Sequence, residues 1–227
     1  MTFVAVIVGF VSFAAGVASA FVEQIAAVRL GAVLKMIAAS AYVAFAVLLG
    51  ATASLYGCLI LIALGLSWIG DLLLIPRGRP RALQTGIASF LLAHLVYAGA
   101  FIVRGPRLVP TLIGGAVMLV VGIVVWRWLA HSDVAARMST AIQLYILGIG
   151  IMAAFAAGTA FNSVHSGPFR IGAPAATPAF RIIIGAAAFV ISDLFVARER
   201  FVDHNVANRI VGLPLYFAAQ ILIASSI

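Results

Sequence analysis

The 227-residue chain is 65% hydrophobic and only 9% charged, with a mean hydropathy of +1.22. A soluble protein carries about 25% charged residues, so a compact water-soluble fold is excluded and the solvent must be lipid. The net charge of +8 does not point to a nucleic-acid partner, because the basic residues cluster in short stretches between apolar runs, as the positive-inside rule expects.

Apolar runs of about 20 residues, each long enough to cross a bilayer, are separated by clusters of polar residues, Gly and Pro. They predict eight transmembrane helices over 3–22, 30–50, 54–75, 84–103, 109–130, 138–160, 180–197 and 209–226. The runs do not alternate polar and apolar residues as barrel strands do. The expected fold is therefore an all-α membrane bundle, a single eight-span domain over 1–227. In the first run, Ala18-Ser19-Ala20 resembles a signal-peptidase site. Met1 to Phe10 holds no Lys or Arg, so the basic flank of a signal peptide is missing and a retained helix is expected. The second run contains Lys35. The third contains the single cysteine, Cys58, and ends in "WIGDLLLIPRGRPR", where Asp71 precedes Pro76, Arg77, Arg79, Pro80 and Arg81. One cysteine allows no intrachain disulfide. The fourth run carries His94 and Tyr97, and the fifth ends on Trp126-Arg127-Trp128, an interfacial anchor pattern. The sixth carries Gln143 and Tyr145. Residues 161–179, "FNSVHSGPFRIGAPAATPA", form the one long connection, expected as an ordered or lipid-skimming loop. Asp193 lies in the seventh run, and Tyr216 and Gln220 in the eighth. His131, His165 and His204 fall in connections and receive no role.

Arginine placement sets the expected orientation. Arg29, Arg77, Arg79, Arg81, Arg137, Arg198, Arg200 and Arg209 fall in the loops of one side, and Arg104, Arg107, Arg170 and Arg181 on the other. The richer side is expected in the cytoplasm, with both termini outside a cell (inner) membrane. Juxtamembrane arginines of this kind also hold anionic headgroups of membrane lipids.

The halves echo each other. Gly70-Asp71-Leu72 matches Ser192-Asp193-Leu194, each followed by an Arg-rich loop and a helix carrying a tyrosine, Tyr97 or Tyr216. Four spans per half would make two parallel repeats about an axis along the membrane normal.

Depth organises the buried polar residues. At 1.5 Å per residue, Asp71 and Asp193 lie roughly 7–9 Å in from Arg77 and Arg198, and Lys35 about 9 Å from Arg29. Three charged groups thus share one layer, with His94, Tyr97, Gln143, Tyr145, Tyr216 and Gln220 somewhat deeper. Such residues face a bundle interior or a wet cavity. The two aspartates could instead be structural partners of Lys35 or loop arginines, but two acids and a lysine at matched depth favour a site. A membrane zinc hydrolase would use three ligands, usually rich in His. Only His94 lies inside a span, so no metal is expected.

The segments "GDLLL", "GIASFLLAHLVY", "YILGIGIMAAFA", "GAAAFVISDLFVARERF" and "LYFAAQILI" occur in order, within a match that runs from the second span to the C-terminus. Together they resemble the lysoplasmalogenase (YhhN-like) family of eight-span membrane proteins. The resemblance implies hydrolysis of the vinyl-ether bond of lysoplasmalogens, a lysophospholipid substrate, and release of a fatty aldehyde and a glycerophospho-base, with no cofactor. It also implies that Asp71 and Asp193 are the central acidic pair, and that Lys35, His94, Tyr97, Tyr145, Tyr216 and Gln220 belong to the same cavity. Where the family often has Lys-Pro, this chain has Lys35-Met36, so an unkinked second helix is expected.

Vinyl-ether cleavage suits two carboxyl groups. Protonation of the β-carbon requires a positioned acid, and the oxocarbenium ion that results requires a facing carboxylate, as in glycosidases. Either aspartate could be the acid. Lys35 and the Arg77–Arg81 loop would attract the phosphate. The rival class is a proton-coupled transporter or lipid-binding protein, since intramembrane acids also serve proton relays.

Overall fold

The computed structural model describes residues 2–22, 28–76, 78–132, 138–162 and 177–227, with the backbone alone for 160–162. Arg77, Arg137, His165, Arg170 and most of the long connection therefore lie outside the described residues. The described chain is helical and without strands: α1 Phe3–Val22, α2 Val28–Leu48, α3 Leu55–Leu73, α4 Pro80–Val103, α5 Leu108–Leu129, α6 Ser139–Asn162, α7 Pro178–Phe201 and α8 Val206–Ala224. All eight are long and apolar enough to cross a membrane. α2 runs unbroken through Met36, as the missing proline implies.

Local chemistry sets the helix starts. Ser54 caps α3 by accepting the Gly57 N–H at 3.0 Å, and Thr177 caps α7 by accepting from Phe180. Pro80 and Pro178 open α4 and α7, where a missing N–H loses no helix hydrogen bond. Between α2 and α3 the chain reverses through Gly50 at φ 84, a left-handed conformation that glycine adopts without strain.

The helices pack in the ring α1–α2–α3–α4–α6–α7–α8, closed by α8 against α1, while α5 lies outside on α6. α8 is innermost, touching α1, α2, α3 and α7. Small residues permit the close crossings, as expected where lipid offers no hydrophobic drive between helices. A Cβ at Gly16 of α1 would fall 2.2 Å from the Phe217 ring of α8. Ser12 of α1 also donates to the Ala38 carbonyl of α2 at 2.8 Å, so α1 is built into the bundle.

Packing repeats between the halves. Consecutive helices touch as α1–α2, α2–α3, α3–α4, then as α5–α6, α6–α7, α7–α8; across the halves, α4 meets α6 as α8 meets α2. The register is shared: His94 follows Asp71 by 23 residues, and Tyr216 follows Asp193 by the same 23. This makes His94, rather than Tyr97, the counterpart of Tyr216. The matching of Tyr97 with Tyr216 by residue type is therefore corrected by register.

Arginines cap both ends of the bundle. Arg200 of α7 donates to the Leu74 carbonyl at the end of α3, at 3.0 Å. At the opposite end Arg181 donates to the Ser225 carbonyl at 2.7 Å, and Arg104 reaches the Ser226 carbonyl while stacking 4.0 Å over Tyr56. Cations at helix C-termini satisfy orphan carbonyls and complement the helix dipole.

Candidate active site in the bundle interior

Asp71 lies in the last turn of α3, where its own carbonyl has no helix donor. Lys35, on α2, answers both needs: its Nζ stands 3.1 Å from Asp71 Oδ1 and 3.5 Å from the Asp71 carbonyl. Two hydroxyls converge on the other carboxylate oxygen, Tyr42 at 3.0 Å and Tyr216 at 2.6 Å. An ammonium and two hydroxyl donors thus hold one carboxylate whose side chain is 2% exposed. Behind it the polar chain continues inward. Gln220 Nε2 donates to the Tyr216 hydroxyl at 3.0 Å, and Tyr97 donates to Gln220 Oε1 at 2.6 Å. This chain leaves the Gln220 amide and three phenols with hydrogen-bond partners in the bundle interior, as buried polar groups require.

Asp193 is built on the same plan with fewer donors. Tyr145, on α6, donates to its Oδ2 at 2.7 Å, as Tyr42 on α2 does for Asp71. From α4, His94 places Nε2 3.8 Å from the same oxygen, at the register position that Tyr216 fills for Asp71. That separation is too long for a hydrogen bond. Neither His94 ring nitrogen has a hydrogen-bond partner among the described residues. The ring is instead held edge-on by Phe189 and Tyr145, at centroid distances of 4.8 and 5.2 Å. The Asp193 side chain is 16% exposed, against 2% for Asp71.

Asp71, Asp193, Lys35, Tyr145 and Tyr216 line one cavity of about 140 Å³. Apart from Ser192, its remaining wall is apolar and extends among α4, α5, α6 and α7 through Phe90, Met118, Val121, Ile142, Ile146 and Val190. His94, Tyr97 and Gln220 are buried behind this wall and do not line it. Gln143 corrects the depth reading: it is exposed on the outside of α6, although Tyr145, two residues on, points inward. Tyr42 was not anticipated, although it stands seven residues, two helical turns, after Lys35 on the same face. Arg79 and Arg81 are exposed and take no part in the cavity wall. Among the described residues, no three His, Cys, Asp or Glu side chains gather as a metal-binding group.

The YhhN family profile matches residues 30–227. This chain belongs to the YhhN family. The match begins within α2 and runs to the last residue, so it covers every side chain of the cavity, and the YhhN family includes lysoplasmalogenases. No curated protein and no solved structure matches the chain significantly. Membership in the YhhN family supports a lysoplasmalogenase-like role at the level of the family.

Proposed function

We propose that this YhhN-family protein hydrolyses the vinyl-ether bond of lysoplasmalogens, with Asp193 as the proton donor and Asp71 as the carboxylate that faces the cation. The observation that carries this reading is the unequal surroundings of two carboxyl groups on one apolar cavity. Lys35, Tyr42 and Tyr216 converge on Asp71, and a carboxylate held by a cation and two hydroxyl donors is fixed in place to face a developing positive charge. Asp193 has one hydroxyl donor and more exposure to the cavity, which suits the group that must touch the reacting carbon. Pairs of carboxyl groups in contrasting environments are how sites divide acid from base work.

The reaction then runs in balance. The Asp193 carboxyl proton passes to the alkenyl carbon distant from oxygen, the double-bond electrons form the new C–H bond, and an oxocarbenium ion results. Asp71 stabilises that cation across the cavity. Water adds to the carbon bonded to oxygen and gives its proton to the Asp193 carboxylate, which restores the acid. The hemiacetal hydroxyl proton moves to the departing glycerol oxygen as the C–O bond breaks, leaving aldehyde and glycerophospho-base. Tyr145 positions Asp193, and Lys35 with the two tyrosines positions Asp71. The apolar wall shields the cation from bulk water and holds the chain.

The test is isotopic. Aldehyde released in D₂O is expected to carry one deuterium on the carbon next to the carbonyl, read by mass spectrometry. Aldehyde released without that label would rule out carbon protonation and this mechanism. Matched halves and intramembrane acids also fit a proton-coupled carrier. Turnover separates the two readings, because an enzyme releases aldehyde in detergent whereas a carrier needs a sealed membrane and a gradient.

A further inference from the structure

A second cavity, of about 440 Å³, opens on the basic-loop face between α2, α7 and α8. It shares Lys35, Leu74, Val196 and Leu213 with the apolar cavity, so the two compartments meet at the Lys35–Asp71 pair. Their walls are opposite in character. Beyond the cluster of Lys35, Asp71, Asp193, Tyr145, Tyr216 and Ser192 the inner compartment is apolar, while Lys35, Arg200, Arg209, His204, Asn208 and Glu199 line the outer one. Its described lining residues include three cations and one acid, Glu199; Lys35 faces Asp71 and Arg209 faces Glu199, and Arg200 brings a third cation to the wall.

The acid is committed to the fold. Glu199 receives the Arg209 guanidinium through Nε at 2.7 Å and through a second, shorter contact. It also accepts the Asn205 N–H at 3.1 Å and the Asn208 amide at 3.4 Å. This network fixes the α7–α8 turn and sets Arg209 in the wall. Arg200 is anchored at the Leu74 carbonyl, on the same chain end that carries Asp71, so its guanidinium and the reactive carboxylate are held in fixed relation. A rigid fork of N–H donors is the chemistry that recognises phosphate oxygens.

We infer that this outer cavity is the headgroup site: it takes the phosphodiester of a single-chain glycerophospholipid on Arg200, Arg209 and Lys35, while the chain occupies the apolar cavity beyond Asp71. The glycerol then spans the junction, which presents the ether bond to the two aspartates. The assignment rests on the hydrolase reading only for the position of that bond. It shifts headgroup recognition from Arg79 and Arg81, which do not line this cavity, to Arg200 and Arg209 at the ends of α7 and α8.

Binding to the purified full chain in detergent tests this without any bond cleavage. Three uncleavable probes separate the sources of affinity: a saturated 1-O-alkyl glycerophosphocholine, the matching 1-O-alkylglycerol without phosphate, and glycerol 3-phosphate without a chain. The alkyl phospholipid is expected to bind at least tenfold more tightly than either fragment. Arg200→Gln is expected to remove about tenfold of that preference and leave alkylglycerol binding unchanged, since a hydrogen bond to a charged group contributes about that factor or more. Arg200→Lys should recover part of it. Equal binding of the alkyl phospholipid and the alkylglycerol would overturn the inference, as would glycerol 3-phosphate binding as tightly as the lipid. An equal loss of both lipids in Arg200→Gln would overturn it too, because that marks a structural role. Headgroup preference without aldehyde release from a vinyl ether would sink the hydrolase reading and leave this site standing.

Discussion

Replacing Lys35 with Met removes the ammonium 3.1 Å from Asp71 Oδ1 and keeps an unbranched apolar stem in α2. The Asp71 side chain is 2% exposed, so solvent offsets little of the lost partner. Deleting one member of a buried ion pair costs about 3–5 kcal/mol, because the other charge is left uncompensated. Tyr42 and Tyr216 still donate to the carboxylate, which argues for the lower end, about 3 kcal/mol. On the scale of domains this size, about 2–4 °C per kcal/mol, that is a loss of roughly 6–12 °C in Tm. The double variant Lys35→Met/Asp71→Asn removes both charges and leaves an amide oxygen to accept from the tyrosines. It is expected to recover most of the loss, with a coupling of about 2–3 kcal/mol, at the upper end for contacting residues. Thermal unfolding of the four proteins in one detergent gives the cycle. An unchanged Tm for Lys35→Met, or a double variant no better than the sum of the singles, would refute a buried charge pair at Asp71.

Tyr42→Phe deletes one donor to the carboxylate, and a hydrogen bond to a charged group contributes about 1.5–3 kcal/mol. If it stabilises the reacting state in full, aldehyde release from a lysoplasmenyl lipid falls roughly 10- to 150-fold, with the elution profile unchanged; full activity would remove Tyr42 from the site. Gly57→Ala sets a Cβ 2.2 Å from the Ala51 carbonyl oxygen, a backbone atom that cannot swing aside. An overpacking loss of about 1–3 kcal/mol or more is expected, and an unchanged Tm would contradict the close approach of the α2–α3 turn to α3. Gln143→Leu alters an exposed position of α6 and is expected to change stability by no more than about 0.5 kcal/mol and activity not at all. Loss of aldehyde release in that variant would bring Gln143 back into the cavity.

The eight helices were legible in the sequence because bilayer thickness imposes one length on every span, and boundaries differ from the expected ones by only a few residues. Which polar residues share a layer was legible too, since depth follows from residue count. Direction around each helix was not. Successive residues turn about 100°, so Gln143 and Tyr145 share a depth yet lie on opposite sides of α6. The same ambiguity hid the outer cavity: Arg79, Arg81, Arg200 and Arg209 all belong to the basic face, and only packing shows that the latter two line a cavity. Tyr42 was missed although its spacing from Lys35 carried the signal, because a tyrosine within an apolar run reads as ordinary core. The register of the halves was within reach as well. Counting 23 residues on from each aspartate, instead of matching tyrosine to tyrosine, gives His94 and Tyr216. That pairing exposes the asymmetry the proposed mechanism uses, with a close hydroxyl donor on Asp71 where Asp193 has a more distant imidazole.

The central claim is that both carboxyl groups act on one vinyl ether. Its most direct test is fatty-aldehyde release from a lysoplasmenyl lipid by purified wild-type, Asp71→Asn and Asp193→Asn proteins, each checked by elution profile for folding. Release by wild type and its loss in both variants is the expected result. Sustained release by either folded variant would contradict the two-carboxyl account.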